Sequence, residues 1–269
     1  MHSFWSGSVN FGLVNIPVQV YSASEERELQ FHFLHKKDHS PVRYAKICKK
    51  ENVEIPYKEL IRGYEYKKGE YVIITPEEMK NAAPEKTKSI DIVHFVDECD
   101  VDIMYADKPY YLKPDKRAVK AYSLLLHALK ESNKVGIAQF VFRTKENVGV
   151  IKPYGDILVL NQLRFFEEIR DPKEVEVKIE KRVSTKETQM ALSLISQLTE
   201  PFEIKKYKDT YSAKLLAAIK RKQKGGKIFV EEKERETAKV YNLMDALKAS
   251  LGKSESKAKT PAKKKRKAA

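Results

Sequence analysis

The amino-acid sequence predicts an α+β fold, in which a small β-barrel core is followed by helices and a disordered basic tail. Residues 1–183 are rich in strand patterns, and the alternation along 14–21 is typical of a half-buried strand. Residues 184–252 have helical periodicity, whereas 253–269 are a low-complexity run of Lys, Ala and Ser. These three observations divide the chain into a core, a helical part and a tail.

The chain is expected to open with a strand and a sharp bend. Gly7 and Gly12 indicate the tight corners of a closed or strongly bent sheet, and Pro17 indicates an edge position or a bulge. Further short strands are expected within 41–75 (VRYAKI, VEIPY and EYVIIT) and within 88–112 (SIDIVHFV and KPYYLKP).

Two helices are expected among the strands. The sequence Thr75-Pro76-Glu77-Glu78 combines a cap, a proline at the first helical position and a capping-box glutamate, so a short helix begins there and ends before Pro84. Residues 117–131 predict an amphipathic helix with an apolar face of Val119, Tyr122, Leu125, Leu126 and Leu129. Three strands follow, with turns at Glu146-Asn147 and near Pro153-Tyr154-Gly155. Several strands around one central helix predict the barrel.

Capping boxes and apolar stripes define the C-terminal helices. Ser184 and Glu187 form a capping box before a helix whose apolar face recurs at Met190, Leu194 and Leu198. A second helix follows Asp209, and Gly225-Gly226 marks a hinge before a last helix that ends at Gly252. The stripe on this last helix either docks on the chain's own core or binds a partner.

The composition excludes several classes of protein. No run approaches about 18 apolar residues, so no transmembrane helix is expected. The N-terminus lacks the basic and apolar regions of a secretory signal. Neither a G-x-G-x-x-G nor a Walker A sequence occurs, so ATP binding is not expected and no cofactor is predicted. Cys48 and Cys99 stand alone and are expected to be reduced.

The net charge of +14 is concentrated in three segments. Residues 34–68 carry net +5, 205–227 carry +8 and 253–269 carry +7, so the rest of the chain is acidic. Localised positive charge favours binding to a polyanion. Within 41–75 the basic residues interleave with tyrosines, as a surface that contacts a phosphate backbone requires. Solvated strand faces explain this interleaving equally well.

Two clusters invite a metal-site interpretation. Three histidines lie close together in the sequence, but they lack the spacing of a zinc motif, which favours packed or solvent-facing side chains: His32, His35 and His39. Five carboxylates suggest a two-metal nuclease, but they follow one another between strands, which favours a surface turn: Asp97, Glu98, Asp100, Asp102 and Asp107.

Seven segments of the sequence, in order, resemble the bacterial Ku family, the DNA-end-binding proteins of non-homologous end joining. They are WSGSVNFGLVNIPVQVYSA, FHFLHKKD, VRYAKIC, RGYEYKKGEYVIITPEE, PYYLKPD, AYSLLLHALKE and YNLMDALKASL. The resemblance runs from about Ser3 to Leu251, and seven segments in register are specific. Many relatives have a second cysteine three residues after the first, but here Lys50 and Glu51 stand near that place, which argues against a zinc knuckle.

The resemblance implies a DNA-repair protein that is not an enzyme. A homodimeric ring would bind double-stranded DNA ends without sequence specificity, hold them, and recruit and stimulate an ATP-dependent DNA ligase in double-strand break repair. It implies a barrel core over 1–183 with a DNA-encircling bridge at about 34–75, a helical arm over 184–227, and a ligase-interacting helix over 228–252. The expected location is the cytoplasm of a bacterium, in association with the nucleoid and not with a membrane.

The expected site residues follow from the basic segments and from the resemblance. The DNA contacts are expected from basic residues of the bridge, the barrel and the arm: Lys36, Lys37, Arg43, Lys46, Lys49, Lys50, Arg62, Lys67, Lys68, Lys113, Lys116, Arg117, Lys220, Arg221 and Lys222. The ligase contacts are expected from the last helix: Val240, Leu243, Met244, Leu247 and Leu251. No catalytic residue and no metal ligand is assigned.

Two other functions remain open. A sequence-neutral architectural DNA binder would share the basic segments, although it would not need the long β-rich core. A metal-dependent nuclease would use the acidic cluster, and its cleavage would be lost on changing Asp100 and Asp102 to Asn. Binding to closed circular DNA separates the architectural binder from the end binder.

Overall fold

The computed structural model describes residues 1–84, 87–180 and 183–225. The chain divides into two units, Met1–Glu174 and Val175–Ala269. In chain order its strands and α-helices are β1 (Trp5–Phe11), β2 (Val14–Ser22), β3 (Arg62–Lys67), β4 (Glu70–Ile74), α1 (Pro76–Asn81), β5 (Ser89–Asp97), β6 (Ala106–Pro114), α2 (Val119–Ser132), β7 (Lys134–Phe142), β8 (Lys145–Tyr154), β9 (Ile157–Leu163), α3 (Thr185–Leu198) and α4 (Thr210–Gln223).

Seven strands close into the predicted barrel in the order β1-β2-β6-β9-β8-β7-β5. Neighbouring strands are antiparallel except β5 and β1, which close the barrel in parallel. At this closure the Ser8 amide donates to the Lys88 carbonyl at 3.0 Å. A Cβ on Gly7 would lie 2.3 Å from the same oxygen. Gly7 therefore permits two strands to approach closely and does not form a corner.

The first hairpin confirms the predicted alternation and corrects the interpretation of Pro17. Gly12 turns the chain between β1 and β2 with a φ of 56°, in the left-handed region that favours glycine. Strand β2 is not an edge, because it pairs with both β1 and β6. The Pro17 carbonyl accepts from the Asp115 amide at 2.9 Å. The Pro17 nitrogen, which has no proton to donate, faces β6 as its carbonyl does. The β2–β6 ladder begins one residue later, so the missing donor removes no bond from that ladder.

Helix α2 packs its apolar face into the barrel core. Tyr122, Leu125, Leu126 and Leu129 are buried in one cluster with the inward side chains of the strands. Val119 is the exception to the prediction at 50% exposed, because the neighbouring Ala118, four residues before Tyr122, takes the buried position at the start of the helix. The Tyr122 hydroxyl joins the helix to the barrel through hydrogen bonds to the backbone of β6 and β9. The predicted central helix is therefore part of the core.

The turn between β7 and β8 differs from the prediction. It lies at Arg143-Thr144, since Phe142 pairs with Lys145, and not at residues 146–147. Asn147 is instead buried within β8. Its amide nitrogen donates to the Lys145 carbonyl at 2.7 Å, and its amide oxygen accepts from Gln162 at 2.9 Å. A polar residue typical of turns is thus satisfied inside the barrel.

A long extension, residues 23–88, connects β2 to β5. None of its described residues is buried. Among these residues, β3 and β4 pair as a two-stranded hairpin. The strands predicted at VRYAKI and VEIPY are therefore wrong. Instead, one isolated bridge, Ile47–Glu54, joins the two segments, and another, Leu34–Pro41, lies before them; no described strand lies beside them to complete a sheet. Most described residues of the extension are exposed, and the others are partly buried.

The predicted helix caps are confirmed. Thr75 and Glu78 form the capping box of α1, which ends at Asn81. Glu187 accepts from the Ser184 amide at 3.2 Å at the start of α3, and Asp209 accepts from the Ser212 amide at 3.0 Å at the start of α4. The described helices include none long and apolar enough to cross a membrane. Cys48 and Cys99 are free thiols.

Candidate nucleic-acid interface

Most of the expected DNA contacts lie in the extension. Nine of them are exposed there, on turns, on the irregular segment between them and on the β3–β4 hairpin: Lys36, Lys37, Arg43, Lys46, Lys49, Lys50, Arg62, Lys67 and Lys68. The isolated bridges close two turns, and these carry Lys36-Lys37 and Lys49-Lys50 at their tips. An exposed stretch of cations of this kind can bind a polyanion without remodelling a core.

Some of these cations already have partners. Arg43 lies 3.9 Å from the Glu54 carboxylate, and the Lys46 ammonium lies 5.0 Å from the centroid of the Tyr57 ring. The Arg62 guanidinium contacts the sulfur of Met79 at 3.1 Å. Exposed pairs of this type contribute little to stability, so a phosphate can replace the carboxylate at small cost.

The β3–β4 hairpin carries a compact network at its tip. Glu70 accepts from the Tyr66 hydroxyl at 2.6 Å and pairs with the Lys67 ammonium at 3.2 Å. The hydrogen bond from Tyr66, followed by that from Lys67, holds the pKa of Glu70 below its ordinary value. The same bond to Glu70 raises the pKa of Tyr66. Lys67 is thus partly neutralised, whereas Lys68 has no ion-pair partner among the described residues.

The remaining expected contacts lie elsewhere. Lys113 is on β6, opposite Gln19, and Lys116 and Arg117 lie in the turn before α2; all three are exposed on the barrel. The second unit carries Lys220, Arg221 and Lys222 in the last turn of α4. Cations at a helix C-terminus also stabilise the helix dipole, which is a structural alternative for this group.

The expected ligase contacts fall outside the described residues. These are Val240, Leu243, Met244, Leu247 and Leu251. The basic tail over 253–269 lies outside them as well.

The acidic cluster lies around the connection between β5 and β6, and three of its five carboxylates are paired with cations. Two short 3-10 turns, Glu98–Asp100 and Ile103–Tyr105, connect β5 to β6, as the turn interpretation predicted. Three carboxylates pair with cations of neighbouring strands: Asp97 with Lys134 at 2.7 Å, Glu98 with Lys152 at 2.6 Å, and Asp107 with Arg164 at 2.9 Å. The hydrogen bond with Asp97 raises the pKa of Lys134. These charges are balanced within the fold.

The histidines belong to exposed irregular segments, as predicted. His35 Nδ1 lies 2.9 Å from an Asp38 oxygen, within one turn, and His32 and His39 are exposed. Within residues 1–84, 87–180 and 183–225, no three His, Cys, Asp or Glu side chains converge as metal ligands.

The fold and the basic extension place the chain among proteins with a Ku-type barrel. The family model described as the Ku70/Ku80 beta-barrel domain matches residues 10–192. The chain is similar to the non-homologous end joining protein Ku of Archaeoglobus fulgidus, with 40% identity over 252 residues, which covers 93% of this chain and 98% of that protein. It is similar to the proteins of the same name from Heliobacterium modesticaldum, at 39% identity, and Bacillus subtilis, at 36%; these alignments cover 93% of this chain and 91% and 82% of the relatives. The chain belongs to the Ku family.

Proposed function

We propose that this chain binds the ends of double-stranded DNA as a homodimeric ring and acts in non-homologous end joining. The observation that carries the proposal is the exposed basic extension on a Ku-type barrel. Nine of the expected contacts lie on this extension, and the relatives are named for end joining.

Contacts to the phosphate backbone suffice for this function. Lysine ammonium groups and tyrosine hydroxyls bind phosphates in any sequence, so a repair protein that meets random ends needs no base readout. The extension offers such groups: Tyr64 and Tyr71 are exposed on the two strands of the β3–β4 hairpin, and Lys68 is exposed in its turn. Selectivity for ends then comes from topology, because a closed circle offers a closed ring no point of entry.

Apolar side chains on the second unit support the homodimer. No described residue of 175–225 is buried. Val175, Val177 and Ile179 alternate with charged residues in a segment without regular secondary structure, and all three are exposed. Leu192 and Ile195 of α3 are also exposed. A second copy of the chain would remove this apolar surface from water, whereas a monomer leaves it exposed.

The ligase partner is proposed from the stripe in the sequence of the last helix. An amphipathic helix that presents leucines on one face suits a groove on a partner protein. We place the protein in the bacterial cytoplasm, associated with the nucleoid, since its proposed ligand is chromosomal DNA. A catalytic role is not proposed, because three carboxylates of the acidic cluster are paired with cations and the described carboxylates do not converge in a set of three potential metal ligands.

Competition between two DNA topologies tests the proposal. A fluorescent linear duplex is bound by the chain without residues 253–269, at moderate salt, and unlabelled linear or covalently closed circular DNA of the same sequence is added. The end-binding ring predicts that only linear DNA competes. Equal competition by the circle would favour the architectural DNA binder and overturn the ring.

A further inference from the structure

The first bridged turn of the extension has a defined set of backbone hydrogen bonds. The amide of His35 donates to the carbonyl of Ser40, and the amide of His39 donates to the carbonyl of His35, both at 2.9 Å. Outside the bridge, the amide of Val42 donates to the carbonyl of Phe33 at 3.4 Å. These three bonds fix the shape of the loop between the two sides of the turn.

The second bridged turn repeats all three bonds thirteen residues later. The amide of Cys48 donates to the carbonyl of Val53 at 2.9 Å, and the amide of Asn52 donates to the carbonyl of Cys48 at 2.8 Å. The amide of Ile55 donates to the carbonyl of Lys46 at 2.8 Å. Every donor and acceptor is shifted by thirteen residues, so the two turns have the same backbone hydrogen-bond pattern.

The two turns also share an uncommon backbone conformation and a sequence. His39 and Asn52 occupy equivalent positions with φ of 58° and 57°, the left-handed region that non-glycine residues seldom adopt. The tips read Lys-Lys-Asp at 36–38 and Lys-Lys-Glu at 49–51. The similarity therefore extends from the backbone to the charged side chains that the turns present.

The lysines at both tips are available to a ligand. Lys36, Lys37, Lys49 and Lys50 are exposed, and the described residues offer none of them an ion pair. Asp38 instead accepts hydrogen bonds within its own turn, from the Ser40 amide at 3.1 Å and the Ser40 hydroxyl at 2.8 Å. These bonds, together with that to His35, hold the pKa of Asp38 below its ordinary value. The acid stabilises the first turn and leaves the lysines free.

We propose that residues 33–42 and 46–55 are two copies of one phosphate-binding turn, each presenting adjacent lysines to the backbone of double-stranded DNA. The inference rests on the proposed DNA binding and adds an equal role for the two turns. Duplex DNA is a regular array of identical charges, so two identical turns suit it and neither has to read a base. Lysine serves here as a compact point charge.

Salt dependence measures the number of phosphates that each turn neutralises. The variants Lys36→Gln/Lys37→Gln and Lys49→Gln/Lys50→Gln are titrated onto a short linear duplex, in the full-length chain, over a range of salt concentrations. Each double variant removes two lysines, and each lysine that neutralises a phosphate contributes about 0.9 to the slope of log K against log salt. The slope should therefore become shallower by about 1.8 for every copy of the turn that contacts DNA. Extrapolated from 1 M salt, this is a loss of about 60-fold in affinity near 0.1 M. The two losses should be equal, and the fourfold variant should show their sum.

A charge-matched control separates the turns from net charge. Lys173→Gln/Lys178→Gln removes the same charge from an exposed segment outside the extension and should leave the slope unchanged. If one turn changes the slope and the other does not, or if the control matches the turns, the proposal is wrong. If the wild-type chain binds linear and circular DNA equally, the end-binding function fails instead, and the slopes still decide whether the turns are equivalent.

A second pair of variants tests the geometry without changing charge. Valine at position 39 or 52 is strained in the left-handed region, whereas glycine adopts it freely. His39→Val and Asn52→Val should each make the slope shallower, as the lysine variant of that turn does. His39→Gly and Asn52→Gly should keep the wild-type slope. Valine variants that bind like the wild type would show that the turn does not position the lysines, which would overturn the proposal.

Discussion

The hydroxyl of Tyr122 should be a major source of stability in the barrel. It donates to the Leu112 carbonyl at 2.7 Å and accepts from the Leu158 amide at 2.6 Å. Leu112 and Leu158 face each other across β6 and β9, at the end of that ladder. All three residues are at least 95% buried. One oxygen of α2 thus satisfies the last backbone groups of two strands.

Tyr122→Phe removes this oxygen while it keeps the ring. Two hydrogen bonds are lost at about 1 kcal/mol each, and a donor and an acceptor are left buried without partners. Each unsatisfied buried group costs about 1–3 kcal/mol, a range that already includes the lost hydrogen bond, so the free energy of unfolding should fall by about 2–6 kcal/mol. The ring remains packed against the core, so the fold itself should persist.

Urea denaturation followed by circular dichroism measures this loss. Tyr154→Phe is the matched control, because Tyr154 is exposed and its hydroxyl has no partner among the described residues; its change should stay within about 0.5 kcal/mol. A loss of less than about 0.5 kcal/mol for Tyr122→Phe would refute the reasoning.

The pH dependence gives a second measure of the same hydroxyl. Burial raises the pKa of Tyr122 above its ordinary value of 10.0, against a smaller opposing effect of the Leu158 amide. The neutral phenol therefore stabilises the fold fully below about pH 10, and this contribution falls as the pH rises through the raised pKa. The difference in unfolding free energy between wild type and Tyr122→Phe should be constant at neutral pH and should shrink above about pH 10.

Three further changes address the barrel, the tail and the last helix. Gly149→Ala would place a Cβ 2.8 Å from the Asn161 carbonyl oxygen, so it should cost about 1–3 kcal/mol in the same assay, whereas Gly63→Ala, with its nearest atom at 3.4 Å, should be neutral. Deleting residues 253–269 should make the salt slope of DNA binding shallower, by about 0.9 for each phosphate that the tail neutralises, with unfolding unchanged; an unaltered slope would contradict this. Leu247→Glu should abolish stimulation of the ligase and leave DNA affinity intact, and surviving stimulation would contradict the partner helix.

The sequence predicted the barrel where local patterns and core packing agree. The alternation along β2 and the stripe of α2 each place apolar residues on one face, and those residues are in the core: Ile16, Val18, Val20, Tyr122, Leu125, Leu126 and Leu129. The capping boxes at Thr75 and Ser184 involve residues three apart, so they too could be predicted. Such features depend on neighbours in the sequence.

The errors arose where a residue's role depends on a distant partner. Asn147 is typical of turns, but Gln162 satisfies its amide inside the barrel. VRYAKI has the composition of a strand, but no described strand lies beside it. The thirteen-residue repeat is visible in the sequence as Lys-Lys-Asp at 36–38 and Lys-Lys-Glu at 49–51. These short matches indicate a structural repeat only together with the shared hydrogen bonds.

Trapping on DNA tests the central claim most directly. The full-length chain is bound to a linear duplex, the ends are then ligated into a closed circle, and the complex is washed at high salt, which removes proteins held by charge alone. A threaded ring should stay on the circle through the wash and leave when a restriction enzyme cuts the DNA. Loss of the protein from the intact circle in the wash would contradict the ring.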